Sequence, residues 1–185
     1  SGKGVPASLI TAMCRSVVRA NSSGKLSPSE VLSKANFQLF PDIREDMFIS
    51  LAYLIMERDN PVIKLARAGH DPPLHYKTAD KSVTAVQSPG IAIGIDAGNV
   101  FDKAMQDEEL NLMPGDILLL HTDGVNEATN QHGEEFGLER LYQTLTEAAP
   151  EGASAVIQSI RDAVDDFAGN VSQNDDITLV AVEKC

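Results

Sequence analysis

Three aspartates stand where carboxylates from two strands could meet and do chemistry. Asp123 follows an apolar run at residues 117–120 and precedes Gly124, which allows the chain a sharp exit from a buried strand. Asp175 and Asp176 come directly before a second apolar run, at residues 177–180. If these two strands are antiparallel neighbours, the end of one and the start of the other share an edge of the sheet. The three carboxylates would converge at that edge.

A hard divalent cation is the partner that such a cluster favours. Converging carboxylates repel one another and lose solvation on burial, and a bound cation offsets both costs. Oxygen-only ligands suit Mg²⁺ or Mn²⁺, and the sequence has no His/Cys cluster that would select zinc. From position alone, the alternative stays open that these aspartates are turn or cap residues.

Other polar residues have simpler interpretations. His70 could be a general acid, although a structural role in a turn fits it better. His121 lies close to Asp123, but strand alternation points it to the opposite face from Thr122. Five further acidic residues are interpreted as solvated surface charge: Asp71, Asp102, Asp107, Glu108 and Glu109.

The elements that would position these residues are helices at both ends of the chain and strands between them. Helical spacing of apolar residues covers residues 7–20, and a capping box at residues 27–30 begins a second helix that reaches about residue 40. Later helices are predicted over residues 137–148 and 153–168. Strands are predicted over residues 47–56, 62–68, 74–76, 83–86, 100–112, 117–120 and 177–182. This segregated order indicates an α+β fold.

Length and charge narrow the classes of function. The 185 residues suit one domain, and the formal net charge of −12 argues against binding to nucleic acid or to a membrane surface. No apolar run approaches the roughly 20 residues of a membrane span. Cys14 and Cys185 form neither a disulfide framework nor a zinc site, so a reduced, cytoplasmic setting is expected.

Six ordered motifs, taken together, are far more specific than any one carboxylate. They resemble the SpoIIE/RsbU branch of the PPM (PP2C-like) serine/threonine protein phosphatases over almost the whole chain. The motifs are SGKGVPASL at residues 1–9, DMFI at 46–49, AGHDPPL at 68–74, PGDILLLHTDGVNEA at 114–128, FGLERL at 136–141 and NDDITL at 174–179.

The resemblance implies a fold and a metal site. The fold is an α/β/β/α sandwich of two antiparallel sheets flanked by helices, and the site holds two Mn²⁺ or Mg²⁺ ions. Asp123 and Asp175 would be metal ligands, and Asp176 is a weaker candidate that more often lies behind the ligands. The family places Gly-Asp-Val before SGKG, and that aspartate is a ligand shared by both ions. Residues 1–185 are therefore expected to be a phosphatase domain incomplete at its N-terminal side, lacking the first strands and binding metal poorly when alone.

The resemblance also implies a function, for which alternatives stay open. The complete enzyme would dephosphorylate a regulatory phosphoprotein, typically an anti-sigma-factor antagonist of the STAS type, in bacterial sigma-factor or stress signalling. An upstream sensor or receiver domain would control it, a homodimer is possible, and residues 4–40 would be a regulatory switch or simply cover a sheet. One alternative is a catalytically inactive module for interaction or dimerisation. Another is a metal hydrolase of small phosphoesters, which explains the acids but not the other motifs.

Overall fold

The computed structural model describes residues 5–22, 24–58, 60–173 and 175–184. Their regular structure consists of five α-helices, seven strands and two short 3-10 helices, at Phe40–Asp42 and Ala149–Glu151. The helices are α1 (Val5–Asn21), α2 (Pro28–Leu39), α3 (Asn99–Ala104), α4 (Gly137–Ala148) and α5 (Ala153–Ala168). The strands are β1 (Leu51–Ile55), β2 (Val62–Ala68), β3 (Leu74–Lys77), β4 (Ser82–Ala85), β5 (Glu108–Asn111), β6 (Ile117–His121) and β7 (Leu179–Glu183). Residues 1–4 of the first motif, Asn174 and Cys185 lie outside the described residues.

The chain divides into two compact units, each with its own antiparallel sheet and buried core. The first unit contains α1, α2, α3 and a sheet in the order β1-β2-β5. The second contains α4, α5 and a sheet in the order β4-β3-β6-β7. Two antiparallel sheets with helices confirm the α+β class. The prediction of a single phosphatase domain over residues 1–185 stays a prediction.

The first unit begins with two helices, as the sequence predicts. Ser27 and Glu30 form the expected capping box of α2, because the Glu30 carboxylate accepts the Ser27 N–H at 2.8 Å and the Ser27 hydroxyl accepts the Glu30 N–H at 3.4 Å. Asp107, interpreted from sequence as surface charge, also accepts the N–H and hydroxyl of Ser29, at 2.7 and 2.9 Å. On α1, Val5, Leu9 and Met13 stay exposed.

The strand predicted over residues 100–112 is wrong, because α3 and β5 share that segment. The Asp96 carboxylate accepts the N–H groups of Gly98, Val100 and Phe101, at 2.9, 2.8 and 3.1 Å. These bonds satisfy amides that a helix start leaves without partners, so a short helix forms instead of a strand. Phe101 then points into the core of the first unit and is fully buried.

The second unit buries the central strand of the candidate site. Of the five residues of β6, all but Leu120 are buried, and β3 and β7 flank the strand on either side. Leu141, Leu145, Val156 and Ile160 of α4 and α5 join the same core. Within the described part of the chain, no helix has both the length and the apolarity to cross a membrane.

Candidate metal centre

The last two strands of the second unit pair in the arrangement that the aspartate positions require. β6 and β7 are antiparallel neighbours, with Leu120 opposite Val180 and His121 opposite Leu179. The pairing that the sequence analysis assumed is therefore present, and β7 begins two residues later than the predicted 177–182. The end of β6 and the start of β7 therefore lie at one edge of the sheet, and that edge carries Asp123, Asp175 and Asp176.

Thr122 extends this pairing as far as the aspartates. Its N–H donates to the carbonyl of Thr178 at 3.1 Å, and its hydroxyl accepts the Thr178 N–H at 2.9 Å. The same hydroxyl donates to the carbonyl of Asp176 at 2.9 Å. The residue directly before Asp123 is thus bonded to the backbone of Asp176, which fixes the distance between the two acidic segments.

Gly124 lets the two acidic segments approach closely. A Cβ atom built on Gly124 would lie 2.7 Å from the carbonyl oxygen of Asp176 and 3.2 Å from that of Asp175. The first distance is shorter than real Cβ contacts, so any other residue would push the segments apart. The glycine of the TDG motif therefore serves a close approach of backbones.

The pKa of Glu127 shows that negative charge is concentrated at this edge of the sheet. Burial raises its pKa, and the negative charges of Asp123, Glu135, Asp71 and Asp175 raise it further. Its N–H donates to the Asp123 carbonyl at 2.9 Å, which closes a tight turn after β6. Four other carboxylates thus lie close enough to act on Glu127, although only two of them are predicted ligands.

Comparison with known proteins places the chain in a family. The model of the family "Stage II sporulation protein E (SpoIIE)" matches residues 1–184. The chain belongs to the SpoIIE family. "Phosphoserine phosphatase RsbU" of Bacillus subtilis (strain 168) is 28% identical over 188 residues, covering 99% of this chain and 53% of RsbU. The chain thus spans about half the length of this relative.

Solved structures agree on the fold. The SiaA-PP2C domain of Pseudomonas aeruginosa superposes with a TM-score of 0.81 at 22% identity, covering 99% of this chain and 72% of SiaA-PP2C. A structure of the PP2C phosphatase domain of SpoIIE from Bacillus subtilis, with a fragment of its regulatory domain, gives 0.77 at 17% identity, over 99% and 52%. These likenesses confirm the PP2C-like fold and, with the family match, the resemblance stated from sequence.

The FGLERL motif of this SpoIIE-family chain braces the segment that carries Glu135. The Arg140 guanidinium donates to the carbonyls of Glu135 and Phe136, at 3.1 and 2.8 Å. The same guanidinium lies 4.6 Å from the ring centroid of Phe167 on α5, and Phe136 packs edge-on against that ring at 5.6 Å. The motif therefore anchors the chain that follows Asp123 onto α5.

The donor chemistry at the edge fits a hard divalent cation. Asp123 and Asp175 contribute oxygen atoms, and the repulsion that acts on Glu127 is the kind that a cation relieves. Among the described residues, no three His, Cys, Asp or Glu side chains form a group that could hold a metal ion. The aspartates therefore suit a hard cation in the type of their ligand atoms and in their position at one edge of the sheet. The assignment of Asp123, Asp175 and Asp176 as ligands stays a prediction.

Asp176, His121 and His70 take part in hydrogen bonds that involve the backbone. The Asp176 N–H donates to the Asp175 carboxylate at 2.9 Å, while the Asp176 side chain is exposed. His121 is buried, with Nδ1 at 3.3 Å from the Thr122 carbonyl oxygen. The His70 carbonyl accepts the Arg67 guanidinium, which ties the AGHD turn to β2.

Sequence reasoning missed three of the carboxylates at this edge. The sequence analysis interprets Asp71 as solvated surface charge and gives Glu127 and Glu135 no role. Glu127 lies four residues after Asp123 in the motif at residues 114–128, and this short spacing indicates that the two carboxylates are near each other. No signal in the sequence brings Asp71 to this edge, because its place depends on how the sheet of the second unit is ordered.

Proposed function

We propose that this chain is a metal-dependent phosphatase domain that removes phosphate from serine or threonine of a protein. The observation that carries the proposal is the β6–β7 pairing, which brings Asp123 beside Asp175 and Asp176 in a chain of the SpoIIE family. Asp123 and Asp175 would hold Mn²⁺ or Mg²⁺, and Asp176 is the weaker candidate ligand. RsbX, a solved structure of similar fold at 12% identity and a TM-score of 0.67, is a complex with magnesium.

The chain's own residues prepare the site for a phosphoryl group. When bound, the cation supplies Lewis acidity, which acidifies water and offsets negative charge on phosphate. Thr122 and Gly124 hold the backbone of the two acidic segments close together, which keeps their carboxylates at one edge of the sheet. Without a cation, the carboxylates that act on Glu127 would repel a phosphate dianion. Occupancy of the metal site is therefore the condition for binding the phosphate group of the substrate.

A cysteine-based mechanism fits the described residues less well. Cys14, the cysteine that the structure describes, is buried in α1, and this burial raises the pKa of its thiol. A raised pKa leaves little thiolate at neutral pH, and the thiolate is the nucleophilic form. The nucleophile in this proposal is water, and no phosphoenzyme forms.

The substrate class follows from the family. We expect an anti-sigma-factor antagonist of the STAS type, with an upstream sensor or receiver domain controlling the reaction. The name of RsbU, a phosphoserine phosphatase, supports phosphoserine as the group removed. A phosphoprotein rather than a small phosphoester is favoured because the six motifs, and not only the acids, match the family.

The test is Mn²⁺ binding by calorimetry, on this chain and on a chain extended upstream through the expected aspartate, together with hydrolysis of a phosphoserine protein. Asp123→Asn and Asp175→Asn should each weaken Mn²⁺ binding and hydrolysis by about 100-fold or more, because each removes a ligand. Asp166→Asn, an exposed aspartate of α5, is the matched control and should change neither.

The second candidate is an interaction or dimerisation module of the same fold. The exposed Val5, Leu9 and Met13, spaced four residues apart on α1, favour it because such a stripe suits a protein partner. If neither chain binds Mn²⁺, the carboxylates are structural and this second function replaces the first.

A further inference from the structure

A cleft of about 390 Å³ opens beside the candidate metal centre, within the second unit. Gly124 lines it, so the cleft reaches the edge that carries Asp123. Its walls come from the segment after β6, from the C-terminal end of α5 and from the chain leading to β7. Four carboxylates line it, those of Glu127, Glu135, Asp165 and Asp175, and no lysine, arginine or histidine is among its described lining residues.

The end of α5 adds negative potential of a different origin. Ala168 and Gly169, where α5 ends, line the cleft. The last carbonyl groups of a helix carry a partial negative charge, which a basic residue in the last turn commonly offsets. The last turn of α5 has no basic residue, and Asp165 of that turn lines the cleft. Side-chain charge and helix dipole therefore both favour a cation here.

The cleft also has an apolar lining. Val164, Ala168, Val171 and Ile177 contribute to its surface. A hydrated metal ion gains nothing from such a lining, but a lysine or arginine side chain can bury its methylene stem there while its charged end meets the carboxylates. A long basic side chain thus matches both parts of the cleft.

Among the described residues, no basic side chain fills this place. Arg140 is bonded to the carbonyl of Glu135, but its guanidinium stacks on Phe167, and neither Arg140 nor Phe167 lines the cleft. The Arg140 charge is thus committed to bracing the segment 135–140 against α5. The cleft is therefore open to a basic side chain of another molecule.

We propose that the cleft binds a lysine or arginine side chain of the phosphoprotein substrate, close in sequence to the residue that loses its phosphate. This inference rests on the proposed function, because it assumes that the phosphorylated residue lies at Asp123 and Asp175. A metal ion there offsets the charge of Asp175, so Glu135 and Asp165, neither of them a predicted ligand, carry the recognition of the basic residue. Substrates with a basic residue beside the phosphorylated serine are then preferred over neutral ones.

The test measures peptide binding to the protein without metal or phosphate, so that it is independent of catalysis. Two fluorescent peptides of equal length are compared in the presence of a chelator by anisotropy, one with lysine and arginine around its serine and one with glutamine in their place. The basic peptide should bind about fivefold more tightly than the neutral peptide, and Asp165→Asn should remove most of that ratio. Glu135→Gln should act in the same direction.

Asp166→Asn is the matched control, because it removes the same charge from the next residue of α5, outside the cleft lining. It should keep the fivefold ratio, and thermal unfolding should verify that all variants are folded. Equal binding of the two peptides by the natural chain, or equal losses in Asp165→Asn and Asp166→Asn, overturns the proposal. Loss of the proposed function itself is seen separately, as absence of Mn²⁺-dependent hydrolysis of a phosphoserine protein by the chain extended upstream.

Discussion

The two ends of β6 each carry an aspartate, and the two carboxylates have opposite surroundings. Asp116 precedes the strand and is 3% exposed. Burial alone would raise its pKa, but N–H groups of Thr78 and Met113 at 2.9 and 3.0 Å, with His75 at 3.1 Å, hold that pKa below its ordinary value. At the other end, Asp123 lies among carboxylates that raise the pKa of Glu127. The carboxylate at the start of β6 is stabilised by hydrogen-bond donors, whereas the carboxylate that follows β6 lies among other negative charges.

The difference separates a structural carboxylate from one available for chemistry. A buried carboxylate with every hydrogen bond satisfied stabilises its turn and offers no open coordination position. Carboxylates that crowd together lower stability unless a ligand of opposite sign binds. The PGD and TDG segments of one motif thus have different tasks, although both place an aspartate beside the same strand.

The largest expected effect is on Asp116. Asp116→Ala leaves His75 and the N–H groups of Thr78 and Met113 buried without their acceptor, and should lower the free energy of unfolding by about 3 kcal/mol. Asp123→Ala, measured in a chelator, should cost less than about 1 kcal/mol, because it removes a repelled charge. Urea denaturation measures both. Similar losses for the two variants would contradict the comparison.

The same substitution carries a pH signature. Because the pKa of Asp116 is lower in the folded chain, its stabilisation is present at neutral pH and is lost as the pH falls below about 4, through the folded pKa. Asp116→Ala should therefore flatten the acid side of the stability profile. An unchanged acid slope would mean that other carboxylates cause it.

Gly124→Ala should give the next largest effect, and at the other end of β6. The added Cβ meets the Asp176 carbonyl oxygen at 2.7 Å, so the segment before β7 must shift, at a cost of about 2 kcal/mol. In the chain extended upstream, Mn²⁺ binding should weaken as well, because the two acidic segments move apart. Gly24→Ala is the control, since its Cβ would meet nothing closer than 3.9 Å. Unchanged Mn²⁺ affinity in Gly124→Ala would argue against a site shared by both segments.

Part of this contrast could be predicted from the sequence. Apolar runs located β6 and β7, and they placed Asp123 and Asp175 at strand ends. The pairing of these strands was an assumption, because local patterns contain no information on which distant strands are neighbours. The family resemblance gave the PP2C-like fold, which composition alone did not.

The features that could not be predicted from the sequence depend on contacts that form only in the folded chain. The short helix α3 follows from three N–H groups that converge on Asp96, which outweigh the strand propensity around Val100. The satisfaction of Asp116 depends on Thr78 and His75, from another strand and its turn. The charges of Asp71 and Glu135 act on Glu127 only in the folded second unit.

The smallest expected effect comes from a variant that tests the repulsion among the carboxylates around Glu127. Glu127→Gln, in a chelator at pH 7, removes one of several mutually repelling carboxylates and should raise the free energy of unfolding by no more than about 0.5 kcal/mol. Added Mn²⁺ should shrink this gain, because a bound cation relieves the same repulsion in the natural chain. Urea denaturation with and without Mn²⁺ measures both terms. Glu134→Gln, whose carboxylate instead accepts from the Asn130 side chain at 2.8 Å, provides the comparison and should bring no such gain. A Glu127→Gln variant less stable than the natural chain in the chelator would mean that this edge is as well satisfied as Asp116, and the contrast between the two ends of β6 would fail.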